Sequence, residues 1–162
     1  MLDSPNEWRV ELLEIADELS KVRDLLSMDN PFLLERPLLY GATISRAIFE
    51  QSQEAVAFIN NGGNHFDPNL ARKVNQIGGT VLQLDGCVGG PWELNQVFSI
   101  SKRKLCNQII HAHALQLWKS PDLEDPSFFI ASKKSLQNEK RFYHVKWSQF
   151  RSTLTDLAAS LA

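Results

Sequence analysis

The residues with the most evident capacity for chemistry lie between positions 101 and 113, in the run SKRKLCNQIIHAH. This run holds three cations, two amides and two imidazoles. Side chains four and seven positions apart share one face of an α-helix, so Lys104, Asn107 or Gln108, and His111 are expected to line up. A cation, an amide and an imidazole on one stripe are groups that can hold a phosphodiester and act on it.

Each of these side chains suits a different step of such chemistry. His111 is the candidate general acid or base, because imidazole exchanges a proton near neutral pH. Arg103 and Lys104 would stabilise charge that develops on a phosphate, and Asn107 would orient a phosphate or a ribose 2′-hydroxyl. We therefore predict these four as catalytic residues and the neighbouring Lys102 as a binding residue. The alternative is that His111 is structural, hydrogen-bonded in a polar seam between two helices.

A second group of cations lies nearer the carboxyl end, among aromatic residues. Strand-like composition at 128–132 and 141–147 predicts a β-hairpin over residues 127–147. Basic residues that alternate with aromatic ones can hold phosphates and stack bases. We accordingly predict four further binding residues: Lys133, Lys134, Lys140 and Arg141. The alternative is an edge hairpin whose lysines prevent aggregation while its aromatic residues face the core.

Neither a metal site nor a cofactor is predicted. His111 and His113 would lie about 200° apart around a helix, which is too far to chelate one ion from the same face. Cys87 and Cys106 are nineteen positions apart and belong to no CxxC pair. The glycine-rich segment 85–91 matches neither GxxxxGKS/T nor GxGxxG, so it predicts no phosphate-binding loop.

Periodic apolar residues predict four long helices in the first part of the chain. The first begins at a capping box, with Ser4 as the cap and Pro5 at the first helical position, and Asp67 is the expected cap of the third. Gly78 and Gly79 fall inside the third helix and mark either a close helix crossing, a kink or a break. The expected limits of the four helices are about 5–30, 37–60, 67–84 and 101–118.

Together these elements predict a fold of the mainly α class. We expect an antiparallel bundle of four long helices, followed by the C-terminal β-hairpin and a closing helix over residues 148–161. The chain is predicted to form a single domain over residues 1–162, with a helical core at about 5–118 and no repeats or low-complexity linkers.

The net charge of −2 is unevenly distributed over the 162 residues. Residues 1–60 carry 11 acidic and 5 basic residues, whereas residues 61–162 carry 8 acidic and 12 basic ones. This gradient can mean a polyanion such as RNA as a partner of the second half, an attraction between the two halves, or solvated faces that simply differ. The last two are favoured, because the basic excess is modest for a nucleic-acid binder. The chain has no secretion signal and no apolar run near the roughly 18 residues of a membrane span. We therefore expect a cytoplasmic protein that does not enter a membrane.

The run from Arg103 to His111 resembles the motif of the HEPN superfamily, small all-helical proteins found in bacterial toxin and defence systems. That motif places an Arg, a polar residue and a His within a few residues of a late helix, and here Lys104 stands at the family spacing, with six residues between it and His111. The resemblance covers about residues 5–118. It implies a metal-independent endoribonuclease that dimerises, so that two motifs form one cleft.

The function predicted from the sequence is therefore binding or cleavage of RNA by a HEPN-like homodimer, as a toxin or defence component. HEPN proteins that lack the motif serve as binding or dimerisation modules, which leaves a second interpretation open. In it the chain is a non-catalytic interaction module that binds a protein partner through its first helix or its hairpin, and an apolar patch remains exposed when it is isolated.

Overall fold

A computed structural model describes residues 5–22, 32–58, 67–89, 94–117, 126–135, 137 and 140–162. Within these residues the chain forms five helices and five strands. In chain order they are α1 (Pro5–Ser20), α2 (Phe32–Phe58), α3 (Pro68–Gly79), β1 (Val81–Val88), β2 (Gln96–Ser101), α4 (Lys102–Ile110), β3 (Ala112–Leu117), β4 (Ser127–Ser132), β5 (Arg141–Lys146) and α5 (Trp147–Ser160). This is a mixed fold of helices and strands, so the prediction of a four-helix bundle with one hairpin is wrong.

The five strands form one antiparallel sheet in the order β2-β1-β5-β4-β3. The predicted hairpin supplies β4 and β5, which pair with Phe129 opposite His144. β5 also pairs with β1, where Asp85 lies opposite His144. The segment predicted as an appendage is therefore the middle of the sheet.

The third predicted helix breaks at its two glycines and continues as a strand. α3 ends at Gly79, and the backbone N–H of Thr80 closes it by donating to the carbonyl of Ile77 at 3.1 Å. After this point apolar and polar residues alternate, with Leu84 in the core and Gln83 exposed. A period of two favours a half-buried strand, and this pattern outweighs the helical spacing that the apolar residues also satisfy.

The fourth predicted helix is also shorter than expected, because it ends at Ile110 instead of near residue 118. His111 is its C-cap, and β3 begins at the next residue. β3 obtains its backbone partners from β4, beginning with Ala112 opposite Ser132. Short apolar runs suit a helix or a strand equally well by pattern alone, and here the neighbouring strand decides.

The predicted cap of the third helix is confirmed, whereas Ser4, the predicted cap of the first helix, lies outside the described residues. The side chain of Asp67 accepts a hydrogen bond from the backbone N–H of Asn69 at 2.9 Å. Ser101 caps α4 in the same way, accepting from the backbone N–H of Lys104 at 3.1 Å. α2 begins at Phe32, earlier than predicted, and includes Pro37 on its buried side. The end of the first predicted helix, beyond residue 22, lies outside the described residues.

Side chains from the sheet and the helices pack in one hydrophobic cluster. α4 and α5 contact the sheet, and α1, α2 and α3 pack around these two helices. Fully buried residues of the cluster include Phe49 of α2, Leu84 of β1, Leu105 of α4, Phe128 of β4 and Phe150 of α5. Of the helices in the described part of the chain, none has both the length and the apolar character that crossing a membrane requires.

Candidate functional site

His111 lies at the surface, at the junction between α4 and β3. Its backbone N–H donates to the carbonyl of Asn107 at 3.0 Å, which closes the helix. Its side chain is exposed, and its Nε2 lies 3.5 Å from Nη1 of Arg46 in α2, at the outer limit of a hydrogen bond. The imidazole is therefore open to solvent beside a guanidinium group and is not enclosed in a helix seam.

Arg46 is held in this position by a carboxylate of its own helix. Its Nε donates to Oε1 of Glu50 at 2.9 Å, one helical turn further along α2. Such a charge-assisted bond limits the orientations of the guanidinium group. Sequence reasoning missed Arg46 and Glu50 because His111 is 65 positions away. The sequence offered one indication, namely that Arg46 and Glu50 are four positions apart and can therefore form an ion pair on one face of a helix.

The predicted stripe of Lys104, Asn107 and His111 is only partly presented to solvent. Lys104 is exposed on the first turn of α4. Asn107 is half-buried, and its Oδ1 is enclosed without a hydrogen-bond partner, as is Oε1 of Gln108. The side-chain oxygen of Asn107 therefore does not face solvent beside the imidazole, although orientation by this amide was predicted.

The side chain of Arg103 lies between α2 and α3. Its Nη2 donates to Oδ1 of Asn75 in α3 at 2.8 Å, and its guanidinium carbon lies 5.9 Å from the ring centroid of Phe49 in α2. Burial lowers the pKa of Arg103. Gly78 leaves the space that this guanidinium group occupies. The residue packs α3 against α4, which differs from its predicted role as a phosphate ligand.

Lys102 is a correction to the predicted binding residues. It is 4% exposed, and its ammonium group forms an ion pair with the carboxylate of Asp156 in α5. Because its charge is already paired at the base of α4, Lys102 is not part of an accessible basic surface.

Lys133 and Lys134 lie at the same end of the sheet as His111. Both are exposed and directly follow β4. Ala112 and Ser132 are register partners, and the strands are antiparallel. The residue before Ala112 therefore lies beside the residue after Ser132, so the backbones at His111 and Lys133 are neighbours.

The last two predicted binding residues extend this surface along the next strand. β5 is antiparallel to β4, so its first residue, Arg141, lies at the end of the sheet where β4 finishes. Arg141 is half-buried, and its guanidinium carbon lies 4.9 Å from the ring centroid of Phe98. Lys140, the residue before it, is exposed and has a φ of 47°. Neighbouring strands are about 4.8 Å apart, so the ends of β3 and β5 are separated by about 10 Å. We call His111, Lys133, Lys134, Lys140 and Arg141 the basic end of the sheet.

Other candidate chemistry receives less support from the geometry. Cys106 is completely buried, and burial raises the pKa of its thiol to about 12, so it is not an available nucleophile. Cys87 is also buried. Over the described ranges, no three His, Cys, Asp or Glu side chains are grouped as metal ligands would be. His113 is exposed at an irregularity in the pairing of β3 with β4.

Exposed apolar side chains occur at two places that bear on the interaction-module interpretation. One is the outer face of α1, where Val10 and Leu13 lie beside Glu14. The other is the β1–β2 hairpin, with Val81 and Val97. No family model, curated protein or solved structure matches this chain.

Proposed function

We propose that this protein binds RNA along the basic end of the sheet and cleaves it without a metal ion, with His111 as the general acid or base. The observation that carries the proposal is the exposed His111 imidazole beside the Arg46 guanidinium, at the end of the sheet where Lys133 and Lys134 follow β4. This arrangement combines a proton acceptor, a fixed cation and further cations within a short distance.

The reaction that these groups suit is internal transesterification of RNA. A neutral His111 imidazole takes the proton of a ribose 2′-hydroxyl, and the resulting oxygen attacks the adjacent phosphorus. The bond between phosphorus and the 5′-oxygen breaks, which leaves a 2′,3′-cyclic phosphate. A water molecule protonates the leaving oxygen to a 5′-hydroxyl, and the hydroxide that results takes back the proton from the His111 imidazolium. Arg46 donates to the non-bridging oxygens as their charge increases, and Glu50 keeps its guanidinium group in place.

The remaining cations have a binding role in this proposal. Lys133, Lys134 and Lys140 are exposed and hold the phosphates on either side of the scissile bond. Lys104 adds a cation on the α4 side of His111. Because none of these groups reads a base edge, we expect binding with little dependence on sequence.

The proposed setting is the cytoplasm, in a toxin or defence role of the kind found among HEPN proteins. Cys106 is a free thiol, as is usual in a reducing compartment. The resemblance to the HEPN superfamily stays a prediction, and the implied all-helical bundle is not retained. The activity proposed here depends on His111 and Arg46.

The first test compares two histidine variants of the full chain. Single-stranded RNA is incubated with the purified protein in the presence of EDTA, and the products are analysed for 2′,3′-cyclic phosphate ends. We expect His111→Ala to reduce the cleavage rate by about 10²- to 10⁴-fold, because the proton acceptor is lost. His113→Ala is the matched control, since His113 is also exposed, two positions away, and should leave the rate unchanged.

Three other results would separate the possible interpretations. Equal cleavage by His111→Ala and the parent chain would assign the activity to a contaminant and overturn the proposal. RNA binding without cleavage would overturn the catalytic part and retain the binding part. Neither binding nor cleavage would overturn both parts and leave the interaction-module interpretation.

A further inference from the structure

The sheet has two edge strands, and they differ in how they are protected against pairing with another strand. In the part of the chain that the structure describes, β2 pairs with β1 alone and β3 with β4 alone. The β3 edge carries a register irregularity between Ala112 and Ala114, and such bulges interrupt further pairing. β2 pairs in regular register from Gln96 to Ser101.

The composition of β2 also leaves its edge open to pairing. Its sequence, QVFSIS, has no charged residue and no proline, which are the usual devices that prevent edge-to-edge association. Its outer face exposes Val97, which is 63% accessible, and Val81 on the neighbouring strand is 54% accessible. Leu94, two residues before the strand, is 50% accessible. An exposed edge with uncovered apolar side chains favours the addition of another strand.

We propose that a second copy of this chain pairs with β2 in the antiparallel direction and joins the two sheets into one of ten strands. A two-fold axis perpendicular to the sheet makes this contact self-complementary. A strand that carried a lysine would bring that charge close to its own copy, whereas uncharged β2 avoids this repulsion. The lack of charged side chains therefore leaves the β2 edge unprotected and also allows two copies of β2 to pair without repulsion.

The alternation of side chains restricts the register of this pairing. Val97 and Ser99 are exposed on the outer face of the sheet, whereas Ile100 is buried on the face that the helices cover. Residues opposite each other in an antiparallel pair lie on the same face of the sheet, so their numbers must differ by an even number. The two-fold axis therefore lies where one residue of β2 is opposite the same residue of the second copy. An axis at Phe98 keeps most of the strand paired and places Val97 opposite Ser99 of the second copy.

This dimer does not depend on the proposed ribonuclease activity. His111 precedes β3, which is the edge strand farthest from β2. In the joined sheet the two basic ends therefore lie at opposite corners, and each remains open to solvent. Loss of the dimer and loss of RNA cleavage are consequently separate observations.

Sedimentation velocity of the full chain over a range of micromolar concentrations tests this proposal. The monomer mass is 18.4 kDa, and we expect the parent chain to approach twice that value as its concentration rises. We expect Val97→Lys to weaken association by at least about tenfold, because the two copies of residue 97 would be diagonal neighbours about 7–8 Å apart on the same face and would carry like charges. Gln116→Lys, at an exposed position of the β3 edge, is the matched control and should dimerise like the parent.

The outcomes divide as follows. A parent chain that stays monomeric, or a Val97→Lys variant that dimerises like the parent, overturns the proposal. If Gln116→Lys alone prevents association, the interface lies at the other edge and the proposal is also wrong. Circular dichroism checks that each variant is folded, and Ser99→Lys, on the same exposed face of β2, replaces Val97→Lys if that chain does not fold. A contact formed only with another protein would leave the purified chain monomeric.

Discussion

At the scale of single residues, the basic run of α4 separates into side chains that face solvent and side chains that are used in packing. Lys104 and His111 are exposed, whereas Lys102 is paired with Asp156 and Arg103 is held between α2 and α3. A cation that is already desolvated and paired has little capacity left for a phosphate ligand. The exposed imidazole instead has the guanidinium group of Arg46 beside it.

The tight packing of Arg103 against Gly78 leads us to expect that a larger residue at position 78 lowers stability. A Cβ atom at Gly78 would lie 2.8 Å from Nη2 of Arg103 and 2.9 Å from Cδ1 of Phe49. We expect Gly78→Ala to reduce the free energy of unfolding by about 1–3 kcal/mol, because an overpacked site must displace one of these groups. Urea denaturation followed by circular dichroism measures the change.

The adjacent glycine is the control for this prediction. A Cβ atom at Gly79 would meet no other atom within 4 Å. Gly79→Ala should therefore leave stability unchanged or raise it by up to about 1 kcal/mol through helix propensity. Equal destabilisation by both substitutions would mean that Arg103 is not confined by Gly78.

At the scale of elements, α4 connects the two ends of the sheet. It follows β2 directly and precedes β3, and its nine residues rise by about 13 Å. Lys102 therefore lies at one end and His111 at the other. A cation in the first helical turn is unfavourable beside the positive end of the helix dipole, and the Asp156 carboxylate offsets this cost. The ion pair fixes the start of the helix that ends at the candidate site.

If the ion pair fixes the start of α4, removal of the Asp156 carboxylate should lower the free energy of unfolding. We expect Asp156→Asn to lower the free energy of unfolding by about 1–3 kcal/mol, since it leaves the ammonium group of Lys102 buried without its counter-charge. The comparison is Asp17→Asn, which removes an exposed pair with Lys21 at 3.8 Å and should change stability by less than about 1 kcal/mol. Chemical denaturation of both variants gives the difference, and similar values for the two would contradict a structural role for Asp156.

At the scale of the whole molecule, the sheet brings together cations that are distant in the sequence. β3, β4 and β5 place His111, Lys133 and Arg141 at the same end of three neighbouring strands. The positive charge of the second half of the chain is thereby partly concentrated on one surface. Such a surface attracts a polyanion through release of its counterions, so its affinity depends on salt concentration.

The salt dependence provides a prediction for this surface. We expect the double variant Lys133→Ala and Lys134→Ala to bind single-stranded RNA more weakly and to reduce the slope of log affinity against log salt by about 1.4, or 0.7 for each lost phosphate contact. Fluorescence anisotropy with a labelled RNA at several salt concentrations measures both quantities.

The control for that experiment removes the same charge elsewhere. Arg72 and Lys73 are exposed on α3, which leads into β1 at the opposite end of the sheet. The double variant Arg72→Ala and Lys73→Ala should therefore keep most of the parent slope. An equal loss for the two double variants would show that binding responds to net charge and not to the basic end.

Taken alone, the sequence determined the features that depend on neighbours along the chain. The cap at Asp67, the closing helix and the strand character around Phe129 and His144 follow from short-range periodicity and turn chemistry. His111 is exposed, and its catalytic role stays a prediction.

Only the tertiary structure decided the class of the fold and the composition of the candidate site. Segments 81–88 and 112–117 carry apolar spacings that suit a helix or a strand, and strand pairing resolved that ambiguity. No spacing rule relates Arg46 to His111, because their proximity comes from the packing of α2 on α4. Packing likewise turned Lys102 and Arg103 inward, since each is held by a side chain of another helix, Asp156 for Lys102 and Asn75 for Arg103. Contacts between distant segments have no local signal in the sequence, and for that reason they appeared only in the folded chain.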